Sequence, residues 1–235
     1  MNNRIAYILS IGIILAAMVF GMFFYASRAD KNTIRVVGYA TESFTADKIK
    51  WDFSLSANVN DVNDIEAGYI ILQKKLQTFK QIWEKQDISY IDMNISPVNV
   101  NKQYGEQGKI VGNRFEQRIY IISEELDKLE ELSINPHIFI ENGIAFERTR
   151  LEYFSSELQE IKKQLLSAAT INARERALKI ASANGSKVGK LKTARAGVFQ
   201  ITEPYSTKIS GYGIHSTSTR EKNIKVTVTC TFYSN

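Results

Sequence analysis

Few side chains in this sequence are of kinds that do chemistry on their own. Its 235 residues include two His, His137 and His215, and one Cys, Cys230. A single thiol builds neither an intrachain disulfide nor a multi-cysteine zinc or iron–sulfur site, and two imidazoles leave little for a histidine-based metal site. His215 stands in a hydroxyl-rich stretch, Tyr205 to Arg220, with Ser206, Thr207, Ser210, Ser216, Thr217, Ser218 and Thr219. The parts of a Ser/His/Asp hydrolase are there, but a G-x-S-x-G turn and a glycine-rich oxyanion sequence are not, so the stretch reads as a flexible loop. Gly185-Ser-Lys-Val-Gly189-Lys190 has the outline of a phosphate loop. Only three residues separate its glycines, Leu191 stands where Ser or Thr would bind magnesium, and it follows a helix instead of opening one. It reads as a helix stop and tight turn.

Glu124, Glu125, Asp127, Glu130 and Glu131 are interleaved with Leu126, Leu129 and Leu132, the pattern of a solvated helix face rather than a metal cluster. No catalytic, cofactor-binding or metal site is expected, no cofactor is implied, and the chain is expected not to be an enzyme. One electrostatic feature survives. From Ser155 to Arg195 there are nine basic residues (Lys162, Lys163, Arg174, Arg176, Lys179, Lys187, Lys190, Lys192, Arg195) against three acids. Gathered at and beyond the end of a helix, they form a candidate patch for an anionic lipid, small ligand or polymer, with a solvated surface as the plainer reading.

The elements that must position these residues begin with an anchor. Ile5 to Ala26 is a 22-residue run without charge, about 33 Å as a helix and long enough for a hydrocarbon core of about 30 Å. It exceeds the apolar region of a secretory signal, so an uncleaved signal anchor is the favoured reading, with cleavage near Ser27-Arg28-Ala29 as the alternative. Arg4 faces Arg28, Lys31 and Arg35 across the run, and the charge rule does not decide orientation. Gly12/Ala16 and Ala17/Gly21 are small-xxx-small pairs that would let two anchors pack. About six residues then lead to the first strand, a tether of at most roughly 20 Å. Residues 1–29 hold two of the five net positive charges, so the remainder, at +3, makes a weak case for nucleic acid as a partner.

Beyond the tether, Ile34 to Glu42 is strand-like. Ile49 to Asn60 alternates strictly, with Ile49, Trp51, Phe53, Leu55, Ala57 and Val59 on one face, as a half-buried strand does. Asp61 or Asn63 would cap a helix to Lys85 with a stripe of Ile65, Tyr69, Leu72, Leu76, Phe79 and Trp83. Ile88 to Val100 and Ile110 to Ile122 would pair as a long hairpin through the loop Asn101 to Gly108. Ser123 would start a short acidic helix ending before Pro136, followed by a strand over Ile138 to Arg150. Ser156 and Gln159, in capping-box spacing, would open the longest helix, which ends at Asn184-Gly185 and carries an alanine stripe at 169, 173, 177 and 181. Strands at Leu191–Thr202 and Lys222–Tyr233 finish the chain, with Cys230 on the inward face as a small buried hydrophobe. The order β-βαββ-α-βαββ suggests two βαββ units. The expected fold is α+β, antiparallel or mixed sheet packed with helices behind an N-terminal transmembrane helix.

Val36-Val37-Gly38-Tyr39-Ala40, Ala46-Asp47 before the alternating strand, Gly143-Ile144-Ala145-Phe146, and above all Ala169 to Gly189 with the strand after it resemble the SIMPL domain family. This group was once described as a domain of unknown function, and it includes immunogenic periplasmic proteins of bacterial pathogens. The resemblance covers roughly Ile34 to Phe232. Ala46 stands where the family often has Pro, and Arg176 where it usually has Lys; neither departure threatens the fold. With residues 1–29 read from the apolar run as signal anchor and tether, the resemblance implies a SIMPL-like exported domain over residues 30–235. It also implies a single-pass protein of the bacterial inner membrane facing the periplasm, a tendency to homo-oligomers, and a link to envelope stress tolerance. An envelope protein partner is expected without being identified. The leading expectation is a non-enzymatic, self-associating or scaffolding envelope protein, and the alternative is a binding module using the basic patch.

Overall fold

The computed structural model describes residues 3–28 and 32–234. Ala29 of the candidate cleavage site and Lys31 of the charge comparison lie outside the described residues. Helix α1 (Asn3–Arg28) contains the expected apolar run, and Tyr7–Ala26 is long and apolar enough to cross a membrane, with none of it buried. The chain divides into two compact units, and α1 belongs to the smaller. Strand β1 (Thr33–Thr45), helix α5 (Leu158–Ala183) and strand β10 (Glu221–Ser234) contribute residues to both.

The larger unit, residues 40–168 and 197–227, holds an antiparallel sheet of five strands. The alternating segment is β2 (Lys48–Val59), and β5 (Ile110–Ser123) and β6 (Glu147–Phe154) pair on its two sides. Beyond β5 lie β3 (Asp92–Ile95) and β4 (Asn99–Tyr104). Alternation puts Ile49, Trp51, Phe53 and Leu55 on one face, all fully buried. Helix α2 (Ile65–Glu84) covers that face through Leu72, Phe79, Ile82 and Trp83. Phe53, Phe139 and Phe146 ring Phe79, with centroids 5.3–6.1 Å away. Helices α3 (Leu126–Ile134) and α4 (His137–Ile140) add Leu126, Leu129, Leu132 and Phe139 to the same core.

Several boundaries differ from the sequence expectation, each for a local reason. Asp64, not Asp61 or Asn63, caps α2, accepting from the Ala67 N–H at 3.0 Å, and Ile65 and Tyr69 of the expected stripe stay exposed. The long strand over 88–100 is cut into β3 and β4 at Ser96–Val98, because Pro97 has no N–H to give the ladder. Asn101 to Tyr104, expected in the loop, pair with β5. Residues 137–140 are helical, not extended: Pro136 precedes the turn, Phe139 buries into the core, and Gly143 at φ +75° ends it. Ser123 is the last residue of β5, and its hydroxyl joins the Glu125 N–H to the Ser89 carbonyl. Ser156 does not cap α5. Its N–H and hydroxyl both go to Asp47, and Ser155 Oγ accepts from the Glu157 N–H instead.

The smaller unit, residues 1–39, 169–196 and 228–235, pairs β7 (Val188–Ala196) antiparallel with the second half of β10. Its core is made by Val36, Val228, Cys230, Phe232 and the stripe Ala169, Ala173, Ala177 and Ala181 on α5. Four alanines bring the helix close to β1. A Cβ added at Gly38 would overlap the Ala169 carbonyl oxygen and the Ala173 nitrogen. Gly185, at φ +77°, closes α5, with the Ser186 N–H donating back to the Ala181 carbonyl at 3.0 Å, as a helix stop should. The expected strand at 191–202 is two. β7 ends at Ala196, and β8 (Gln200–Thr202), in the larger unit, pairs with β10 and runs parallel to β9 (Ile214–His215). The βαββ order is present twice, but β6, which opens the second set, pairs with β2 of the first.

Candidate functional site

The outer face of the β2 sheet is where charge gathers. Alternation sends Lys50, Asp52, Ser54 and Ser56 to that face of β2. The register sets Asp52 beside Tyr120 and Arg150, and Ser54 beside Arg118 and Glu147. From Asp52 to Ser54 is two residues on β2, but from Arg150 to Glu147 is three on β6, so β6 carries a one-residue bulge of the kind that bends a strand and re-aims side chains. Arg148, inside it, has φ +49°, a backbone conformation that non-glycine residues rarely adopt. The result is an open trough of about 770 Å³. Its floor is Asp52, Ser54 and Glu116, with Arg118 rising from it over Asp52. One wall is the β3–β4 break with Asn99 and Asn101, and the other is Arg148–Arg150.

Acids form the depth of this face and guanidiniums its rim. The side chains of Asp52, Glu116 and Glu152 are 7–13% exposed, and those of Arg118, Arg148 and Arg150 are 56–76% exposed. Arg118 grips Asp52 with two nitrogens, Nε at 2.7 Å from Oδ1 and Nη2 on Oδ2, and Lys50 stands 3.6 Å away. The Arg118 hydrogen bonds hold the Asp52 carboxyl below the usual carboxylate range against the opposing effect of burial. Arg148 reaches Glu116 at 3.4 Å and Arg150 reaches Glu152 at 3.3 Å. Thr149 accepts from the Trp51 indole N–H at 2.8 Å, tying the bulge to the core. Sequence reasoning passed over this site. The only signal for it is the polar face of β2, which strict alternation in a half-buried strand leaves on the outer side, although Asp52, Ser54 and Ser56 are buried.

The residues singled out from the sequence are not gathered into one place. His137 opens α4 and His215 lies in β9. Among the described residues, no hydrogen bond joins either His to a serine. Ser216 and Ser218 instead hydrogen-bond the Glu203 carboxylate at 3.3 and 3.2 Å. Burial, with Lys162 and Lys222 nearby, pushes the His215 imidazole below its ordinary value. In the acidic helix region, Glu125 is held down to about 2 by its hydrogen bonds from Lys128 and Ser89. No group of three or more His, Cys, Asp and Glu is placed to hold a metal ion among the described residues. The basic run is divided, Lys162 and Lys163 in the larger unit and the other seven in the smaller; Lys162 lies over the Phe199 ring, Lys163 pairs with Glu160, Arg176 lies over Tyr39 and donates to the Val37 carbonyl, and Lys192 lies over Tyr233.

The stretch from Tyr205 to Arg220 is pinned by Lys222, which is 3% exposed and donates to the carbonyls of Tyr153 at 2.7 Å and Ser216 at 2.8 Å. Burial lowers its pKa from 10.5 to about 8, with Glu203 and Glu152 opposing. The unfolded chain therefore binds more protons above pH 8, and the penalty for burying this ammonium, complete below pH 8, is relieved as pH rises toward 10.5. Stability relative to Lys222→Met should rise by about 2 kcal/mol between pH 7.5 and 9.5, measured by urea unfolding. Cys230 and Tyr153, which burial pushes up, titrate in both chains and cancel. A flat or falling difference would contradict this account.

The family model described as SIMPL, a protein of unknown function (DUF541), matches residues 34–232. No curated protein matches the chain.

Proposed function

We propose, for a chain that belongs to the SIMPL family, that it is a non-enzymatic scaffold of the bacterial envelope, anchored in the inner membrane by α1 and self-associating on the periplasmic side. The observation that carries the anchored part is the make-up of the smaller unit. An exposed apolar helix leads, through four residues spanning at most roughly 17 Å, into the rest of the smaller unit, which from residue 33 on holds eight basic residues and one acidic, a net +7. The larger unit carries −4. Basic side chains beside a membrane anchor are attracted to anionic headgroups, at about 1 kcal/mol for each one near the surface.

Self-association is supported by the two strand edges in that unit. On β1, the Tyr39 N–H donates to Asn172 and the Val37 carbonyl accepts from Arg176, so side chains already occupy edge groups. On β7, seven consecutive residues from Lys190 to Ala196 are exposed, and such an edge is a template for an added strand. Lys190, Lys192 and Arg195 on β7 repel a second copy, so association should strengthen as salt screens them. The full chain in detergent should sediment above the monomer mass at 0.5 M salt, and Ala194→Lys should shift it toward monomer. A reporter fused after residue 235 should be active only outside the cytoplasm. Strict monomers at every salt concentration, or a cytoplasmic reporter, would refute the proposal.

A further inference from the structure

The geometry points to the trough on the outer face of the β2 sheet as a binding site for an acidic saccharide, a hydroxyl-rich ligand carrying carboxylate or phosphate groups. This goes beyond the anchored scaffold and does not depend on it. Three independent observations converge. The first is the vertical order of charge: Asp52 and Glu116 lie deep while Arg118, Arg148 and Arg150 stand out into solvent, so an approaching ligand meets guanidinium first. Each guanidinium has five N–H donors in a fork that fits carboxylate and phosphate. Arg148 and Arg150 reach their acids only at 3.4 and 3.3 Å, which leaves donors for a ligand. This positive rim stands in a unit whose overall charge is −4, so it is not a by-product of general basicity.

The second observation is backbone. The bulge turns three consecutive residues, Arg148, Thr149 and Arg150, into one wall, and it does so with Arg148 in a left-handed conformation. Such strain persists where the surroundings enforce it and is concentrated at ligand-holding positions. The third is the lining. Apart from the charged groups it is hydroxyl and amide, and Pro97 is its one apolar member. A peptide or acyl chain would find no anchor there, whereas Ser54, Thr149, Asn99 and Asn101 match the donors and acceptors of sugar hydroxyls. At about 770 Å³ the trough has the size of an organic-ligand site rather than of one inorganic anion.

The test uses the full chain in phosphatidylcholine nanodiscs. Fluorescent oligogalacturonate supplies the carboxylate, phosphorylated dextrin the phosphate, and dextran the uncharged backbone. At least one acidic glycan should bind, more weakly as salt rises, and dextran should not; the tighter of the two identifies the oxyanion. The double substitution Arg148→Gly with Arg150→Gln should weaken binding at least tenfold. It should leave the unfolding midpoint unchanged or higher, because glycine accepts the left-handed backbone, and this separates loss of the site from loss of the fold. Failure of both acidic glycans, equal binding of dextran, or unchanged affinity in the variant would each overturn the proposal.

Discussion

Gly38→Ala is expected to lower the stability of the smaller unit by roughly 3 kcal/mol, the upper end of what overpacking ordinarily costs. The new methyl has nowhere to go, since the overlapped atoms, the Ala169 carbonyl oxygen and the Ala173 nitrogen, belong to helix backbone and cannot swing aside as a side-chain tip would. Relief requires α5 to lift off β1, which would open the contacts of Ala169, Ala173 and Ala177, all fully buried. Far-UV circular dichroism during urea unfolding of the full chain in detergent should show the midpoint falling. Gly211→Ala, at a glycine with open space around it, should move it by less than about 0.5 kcal/mol. Equal effects at the two sites would mean that the close approach at Gly38 has been misjudged.

Phe79→Ala should cost the larger unit about 3–5 kcal/mol, as truncation of a fully buried aromatic does. Phe79 is where α2 meets the sheet. Its ring packs between Phe53 on β2 and Phe139 on α4, at 5.3 Å from each, and stacks on Trp83 at 6.1 Å. The vacancy would be walled by aromatic rings anchored on different elements, so it cannot collapse cheaply. Both tryptophans, Trp51 and Trp83, lie in this core, and their fluorescence gives a direct reading. The variant should unfold at lower urea, with altered native emission from Trp83. A change below about 1 kcal/mol would show that the cluster repacks.

What could be read from the sequence was whatever repeats along a single element. The alternation from Ile49 to Val59 and the four alanines of α5 became buried faces, because period alone decides which side of a strand or helix a residue occupies. Errors arose where one long-range contact outweighed local pattern. Ile138, Phe139 and Ile140 are as β-prone as any triplet in the chain, yet Phe139 reaches the Phe79 cluster from a helical turn. Ser156 has good capping chemistry, but Asp47, 109 residues away, takes its hydroxyl. The trough was invisible for the same reason. Asp52 and Arg118 are 66 residues apart, and the extra residue in β6 that brings Arg148–Arg150 alongside exists only relative to its partner strand.

That extra residue also acts as a phase shift. Downstream of it, the odd-numbered Leu151 and Tyr153 face the core; upstream, the even-numbered Phe146 does, packed 4.8 Å from Trp51. The even-numbered Arg150 and Glu152 share the outer face with the odd-numbered Glu147, which bonds Ser56 and Arg114. Strand β6 thus changes parity at Arg148 and Thr149, with Glu147 and the Phe146 that precedes the strand out of phase with the residues after them. Any chain lacking one of these two residues would have to choose between keeping Phe146 in the aromatic cluster and keeping Glu147 on the outer face. Gaps at this point in related sequences would therefore mark molecules with a differently built face, whatever their overall similarity.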